Sequence, residues 1–152
     1  MITFPVSTAG LSDFLPHRGP ALWVDEVSSV SDTEGVCRVF VRPEANYADS
    51  RGLIRDSSYV EWIAQAYGFV SACQILCGLV PDEKRPEKAF LVQVRDLELS
   101  EDPAATLIFE GDWLNIQVRR THRMGPLALV EGAVFSSKGI ALARAKLKLY
   151  AE

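Results

Sequence analysis

Glu61 is the sole charged side chain between Ser57 and Pro81. A lone carboxyl in an apolar run is a candidate general acid or base. Beside Tyr59, Val60 and Trp62 it should lose hydration, which disfavours its charged form, whereas the helix N-terminus predicted close by favours the anion. A structural reading competes. Ser58-Tyr59-Val60-Glu61 fits the S-x-x-E capping box, in which Glu61 would bond back to a first-turn amide. The chain has two histidines, so imidazole chemistry rests on His17, in Leu15-Pro16-His17-Arg18-Gly19-Pro20, or on His122, in Arg119-Arg120-Thr121-His122-Arg123. His17 reads either as a loop histidine bonded to backbone or as a site-lining residue. The cluster around His122 reads either as a solvated patch or as a docking surface for an acidic partner, formed by Arg119, Arg120 and Arg123. Cys73 and Cys77, at i and i+4, have no further ligands in reach of the pattern; they read as core thiols, and no metal site is expected. The phosphate-binding motifs G-x-x-x-x-G-K-[ST] and G-x-G-x-x-G and the serine-hydrolase motif G-x-S-x-G do not occur.

The elements that must hold these residues follow from the patterning. A chain of 152 residues with 48% hydrophobic content fits one folded domain, 1–152. Its net charge of −4 argues against a nucleic-acid partner. Three cysteines without a paired framework, and a start (Met1 to Val6) without a basic-then-apolar leader pattern, give the expectation of a reducing, cytoplasmic setting. Leu11–Leu15 reads as a helical turn stopped by Pro16. Strands are expected over 21–27, 36–42, 89–99, 104–110, 112–121, 126–137 and 139–150, joined by short turns that favour antiparallel pairing. Cys37, Val39 and Val41 should face inward, as should Ala141, Ala143, Ala145, Leu147 and Leu149. Asp56 or Ser57 should cap a helix that runs to about Cys77 and stops at Gly78. The 19 uncharged residues from Trp62 to Val80 are broken by Gln65, Ser71, Gln74 and two glycines, so they read as a covered helix and not as a membrane span. Ser58, Glu61, Gln65, Gly68 and Ala72 fall on one stripe, expected to face a second subunit.

Two motifs then carry a resemblance. Leu15-Pro16-His17-Arg18-Gly19-Pro20-Ala21-Leu22-Trp23-Val24-Asp25-Glu26-Val27 resembles the L-P-H-R-x-P-x-L-x-V-D-x-V opening of the hotdog-fold 3-hydroxyacyl-[acyl carrier protein] dehydratases. Glu61-Trp62-Ile63-Ala64-Gln65-Ala66 is similar to their E-x-M-A-Q-A. The resemblance implies an α+β hotdog domain, with a long curved antiparallel sheet around one helix, assembled as a dimer. It implies elimination of water from a thioester carried on the phosphopantetheine of an acyl carrier protein, with no other cofactor. Glu61 would handle the departing hydroxyl, and Leu15, Pro16, Gln65, Tyr47 and Gly52 would line the substrate. The family's histidine does not carry over: fourteen residues before Glu61 stands Tyr47, and Arg55-Asp56 replaces the P-G before the helix. This departure resembles the divergent dehydratase-like proteins of aryl polyene gene clusters. It leaves two arrangements open: a homodimer using His17 as base, or a heterodimer whose partner brings the histidine. A hotdog thioesterase and a non-catalytic acyl-binding subunit are the remaining alternatives.

Overall fold

The computed structural model describes residues 2–15, 21–42, 46–102 and 111–152. Strands β1 (Val6–Ser7), β2 (Glu26–Val30) and β3 (Glu34–Phe40) precede helix α1 (Asp56–Leu76), and β4 (Ala89–Leu99), β5 (Trp113–Met124), β6 (Leu127–Phe135) and β7 (Ala141–Ala151) follow it. The described strands form one sheet in the order β1-β2-β3-β5-β6-β7-β4, every neighbouring pair antiparallel. Thr8–Phe14 forms a 3-10 helix. The strand expected over 104–110 lies outside the described residues.

The sheet curls around α1 because both surfaces are apolar where they meet. Trp62, Ile63, Ala66, Phe69, Val70 and Cys73 are buried against Val27, Cys37, Val39, Leu114, Ile116, Val130, Val134 and Leu147. Close approach depends on two glycines. A Cβ at Gly132 of β6 would overlap Ile63, and one at Gly35 of β3 would come within 2.6 Å of Val70 Cγ2. Cys37, Val39 and Val41 face the helix as the alternation predicts. So do Ala143, Ala145 and Leu147, while Arg144 and Lys146 point to solvent. No helix among the described residues is long and apolar enough to cross a membrane.

Helix α1 ends as expected and begins differently. Gly78 adopts φ 68°; its N–H donates to the Ile75 carbonyl at 3.1 Å and the Leu79 N–H to the Gln74 carbonyl at 3.0 Å, the paired bonds of a glycine stop. At the start neither Asp56 nor Ser57 caps the helix. Arg55 occupies the N-cap position without a side-chain hydrogen bond to it. Cys77, expected in the core, is exposed at the C-cap.

The expected strand at 21–27 is shifted to Glu26–Val30. Its first residues leave the sheet because the Trp23 N–H donates to the Gln65 side chain at 3.0 Å. At the far edge of the sheet, β4 pairs with β7 on one side and is exposed along all eleven residues.

Candidate active site

Glu61 lies half-buried on the second turn of α1. The capping box does not form. Ser58 is inside the helix, and its hydroxyl donates to the Tyr47 carbonyl at 2.8 Å. The Glu61 carboxylate is engaged sideways: the Gln65 amide, one turn on, donates to Oε1 at 2.9 Å. Glu61 lines a cavity of about 340 Å³ together with Leu15, Ala64, Gly68, Ser71, Leu91 and Leu149. A carboxyl at the end of an apolar groove, held by a neutral donor, can exchange a proton with a bound substrate while little water competes.

Gln65 is more heavily committed than a lining residue. Its amide nitrogen also donates to the Ala21 carbonyl at 2.9 Å, and its oxygen accepts the Trp23 N–H. It is 1% exposed. Gln65 therefore joins the extended 21–23 segment to the helix and fixes one oxygen of Glu61. The expected stripe shifts for the same reason. Ser58, Gln65 and Ala72 are buried inside the protomer, and the less covered line of α1 is Glu61, Ala64, Gly68, Ser71 and Ile75. Leu15 lines the groove and packs on Gly68, where a Cβ would sit 2.9 Å from Leu15 Cδ2.

Two expected substrate contacts lie elsewhere. Tyr47 is 1% exposed and belongs to the core. Its ring centroid is 5.0 Å from that of Trp62 and 5.5 Å from that of Trp23, and its hydroxyl accepts the Arg42 N–H at 2.5 Å. Burial pushes the phenol above its usual pKa, which removes it further from any role as a base. Gly52 is exposed on the turn that follows Asp49, at φ 80° with nothing within 4 Å of where a Cβ would sit, and serves that turn. Pro16 and His17 lie outside the described residues.

The arginine cluster is paired internally. Arg119 meets Glu131 across β5 and β6 at 2.8 Å, on the exposed face. Arg120 points the other way. It reaches Glu83 at 2.5 Å with both side chains 14% exposed, and it donates to the Tyr67 hydroxyl. Arg123 binds the second oxygen of Glu83 at 2.9 Å. Arg120 thus fastens the segment after α1 to the sheet, and the expected docking role does not fit it. Arg120→Glu should lower stability by roughly 3 kcal/mol, since it sets a carboxylate against a largely buried Glu83. Arg119→Glu, on an exposed pair, should change stability by no more than about 1 kcal/mol. Thermal unfolding of the two variants checks this; equal effects would contradict the assignment.

Sequence reasoning missed Tyr67, Ser71 and the β4 and β7 residues that wall the groove. Gly68 was the available signal, as a small residue on the Glu61 stripe. His122, the one histidine among the described residues, is exposed on β5 and does not line the groove. Among the described residues no group of three or more His, Cys, Asp and Glu could hold a metal ion.

Comparison with known proteins places this geometry. A family model, ApeP-like (ApeP dehydratase), matches residues 9–152. One similar solved structure is the dehydratase heterocomplex ApeI:P from Xenorhabdus doucetiae, at 21% identity and TM-score 0.78, covering 99% of this chain and 93% of that one. The smu.793 protein from Streptococcus mutans UA159, bound to acetyl CoA, is similar at 15% identity and TM-score 0.62, over 91% and 95%. A hypothetical thioesterase with coenzyme A from Streptococcus pneumoniae TIGR4 follows at 10% identity and TM-score 0.58, over 84% of each chain. At these identities the structures establish a shared hotdog fold. No curated protein sequence matches the chain.

Proposed function

The chain belongs to the ApeP-like dehydratase family, and from that premise we propose that it is one subunit of a two-chain dehydratase acting on a carrier-bound 3-hydroxyacyl thioester. The observation that carries this reading is Glu61: a carboxylate at the end of an apolar groove whose described lining holds no base. Tyr67 and Tyr150 line the groove, but both phenols stand above their usual pKa, through burial at Tyr67 and a hydrogen bond to Glu152 at Tyr150, so neither accepts a proton at neutral pH. Elimination needs both partners. A base takes the C2 proton beside the thioester carbonyl, the C3–O bond breaks, and protonated Glu61 gives its proton to the leaving hydroxyl. The products are a 2-enoyl thioester and water, and one proton passed from the base back to Glu61 restores both groups. A second hotdog chain carrying a histidine supplies the base in this reading. The similar ApeI:P assembly, a dehydratase heterocomplex, supports such pairing.

One observation favours a second reading. Leu15 packs on Gly68 and the Ala21 carbonyl accepts from Gln65, on the α1 line that also carries Glu61, and in the sequence His17 falls between Leu15 and Ala21. His17 of the same chain is then the base. Co-expression with a hotdog protein encoded nearby, followed by assay on a 3-hydroxyacyl-pantetheine thioester, separates the two. The heterodimer reading expects 2-enoyl product from the pair and none from this chain alone. Efficient turnover by this chain alone would overturn it in favour of His17, and release of free acid in place of the enoyl product would point to a thioesterase.

A further inference from the structure

Phe14, the last residue of the 3-10 helix, and Leu15 after it stand between two cavities. Both line the groove of about 340 Å³ that holds Glu61, and both line a wider one of about 860 Å³ bounded by Arg85, Glu87 and Lys88. Leu15 rests on Gly68. Gly68 lies two turns beyond Glu61, a rise of about 10 Å along α1, so this partition meets the groove well away from the carboxylate. Arg85 holds the partition in place. Its guanidinium lies over the Phe14 ring at 5.2 Å from the centroid and donates to the Asp13 carbonyl. The Arg85 side chain is exposed, but its backbone is suspended between two fixed points. Glu83, just before it, is gripped by Arg120 and Arg123. Lys88, just after it, exchanges backbone hydrogen bonds of 2.9 and 3.0 Å with Glu152 at the end of the chain.

We infer that Arg85 is a positioning residue of the Glu61 site: it clasps Phe14 and thereby keeps Leu15 on Gly68 as a wall of the groove. The ligand, an acyl chain with its thioester at Glu61, comes from the dehydratase reading, on which this role rests. With the clasp closed, an acyl tail long enough to reach Gly68 is held between apolar walls and shielded from the wider cavity. Without it the 3-10 helix keeps its other end in place, because the Thr8 N–H donates to the Asp25 carbonyl at 2.9 Å and the Thr8 hydroxyl to the Val24 carbonyl at 2.6 Å. The end that carries Phe14 and Leu15 loses its tie to the segment after α1. The two cavities then join, and water enters the distal groove. A short acyl group stops before Gly68 and does not touch the partition, so the effect grows with chain length. A tie that served stability alone would make no such distinction. Lysine keeps the charge and a donor but not the planar stacking on Phe14, so it replaces Arg85 in part.

The test is binding, measured by calorimetry on the assembled protein with pantetheine thioethers carrying four-carbon and twelve-carbon chains. These probes lack the thioester carbonyl and undergo neither elimination nor hydrolysis. Arg85→Ala should weaken the twelve-carbon probe about tenfold and the four-carbon probe by less than about twofold, while melting within about 2 °C of the parent protein, since no buried group is stranded. Arg85→Lys should recover part of the lost affinity. Phe14→Leu should weaken the long probe to a similar extent, and the double variant should bind no worse than either single one, because both act through one contact. Hydrogen exchange at the Phe14 and Leu15 amides should quicken in Arg85→Ala. Equal losses for the two probes, an unchanged twelve-carbon affinity, or additive losses in the double variant would overturn the inference. The expected binding pattern with no 2-enoyl product from any pairing would remove the dehydratase reading and leave the clasp.

Discussion

Glu61→Gln is expected to lower 2-enoyl product formation by the assembled dehydratase about 10²–10⁴-fold, the usual worth of a positioned proton donor. The same variant should melt within about 1–2 °C of the parent protein. Glutamine keeps the side-chain oxygen that accepts the Gln65 amide, fills the same volume and loses no cap, since Ser58 and Glu61 do not form one. The two readouts together distinguish catalysis from architecture. Full activity with lowered stability would return Glu61 to a structural role, and steady-state assay beside calorimetry on one preparation decides it.

Gln65→Ala should do the opposite to the fold. It strands the Trp23 N–H and the Ala21 carbonyl, which Gln65 satisfies from a position 1% exposed. Unsatisfied buried groups cost about 1–3 kcal/mol each; Ala21 is exposed and Trp23 half-buried, so a loss of roughly 2 kcal/mol is expected, or about 4–8 °C in Tm for a chain of this size. Activity should fall as well, because the variant frees both Glu61 Oε1 and the 21–23 segment. Unchanged melting would mean that water or a shifted backbone replaces the amide, and would remove Gln65 as the link between them.

The candidate carboxylate was legible in the chain. Glu61 stood out because the helix around it lacks other charges, and the two motifs pointed to an antiparallel sheet around one helix. The glycine stop at 78 follows from a short-range rule, left-handed backbone, which the structure obeys; the strand at 89–99 forms, but two register shifts break its alternation. Roles that depend on distant partners were misread. Tyr47 occupies the family's histidine position, yet Trp23 and Trp62 close around it. Arg120 sits in a basic run, yet alternation along β5 turns it inward to Glu83, thirty-seven residues away. Gln65 looked like a polar residue on a subunit-facing stripe and instead satisfies backbone groups more than forty residues earlier.

By itself the sequence carried two motifs whose resemblance implied a hotdog fold, one carboxylate in an otherwise uncharged helix and a tyrosine where the resembled family keeps its histidine. The residue types are what the chain states directly; the fold came through the resemblance. Only the tertiary structure decided which polar groups are spent on the fold and which remain for chemistry. A buried donor or acceptor must find a partner wherever the fold brings one, and that partner is set by packing, not by spacing along the chain. Gln65 and Arg120 are spent in this way, while Glu61 lines the groove.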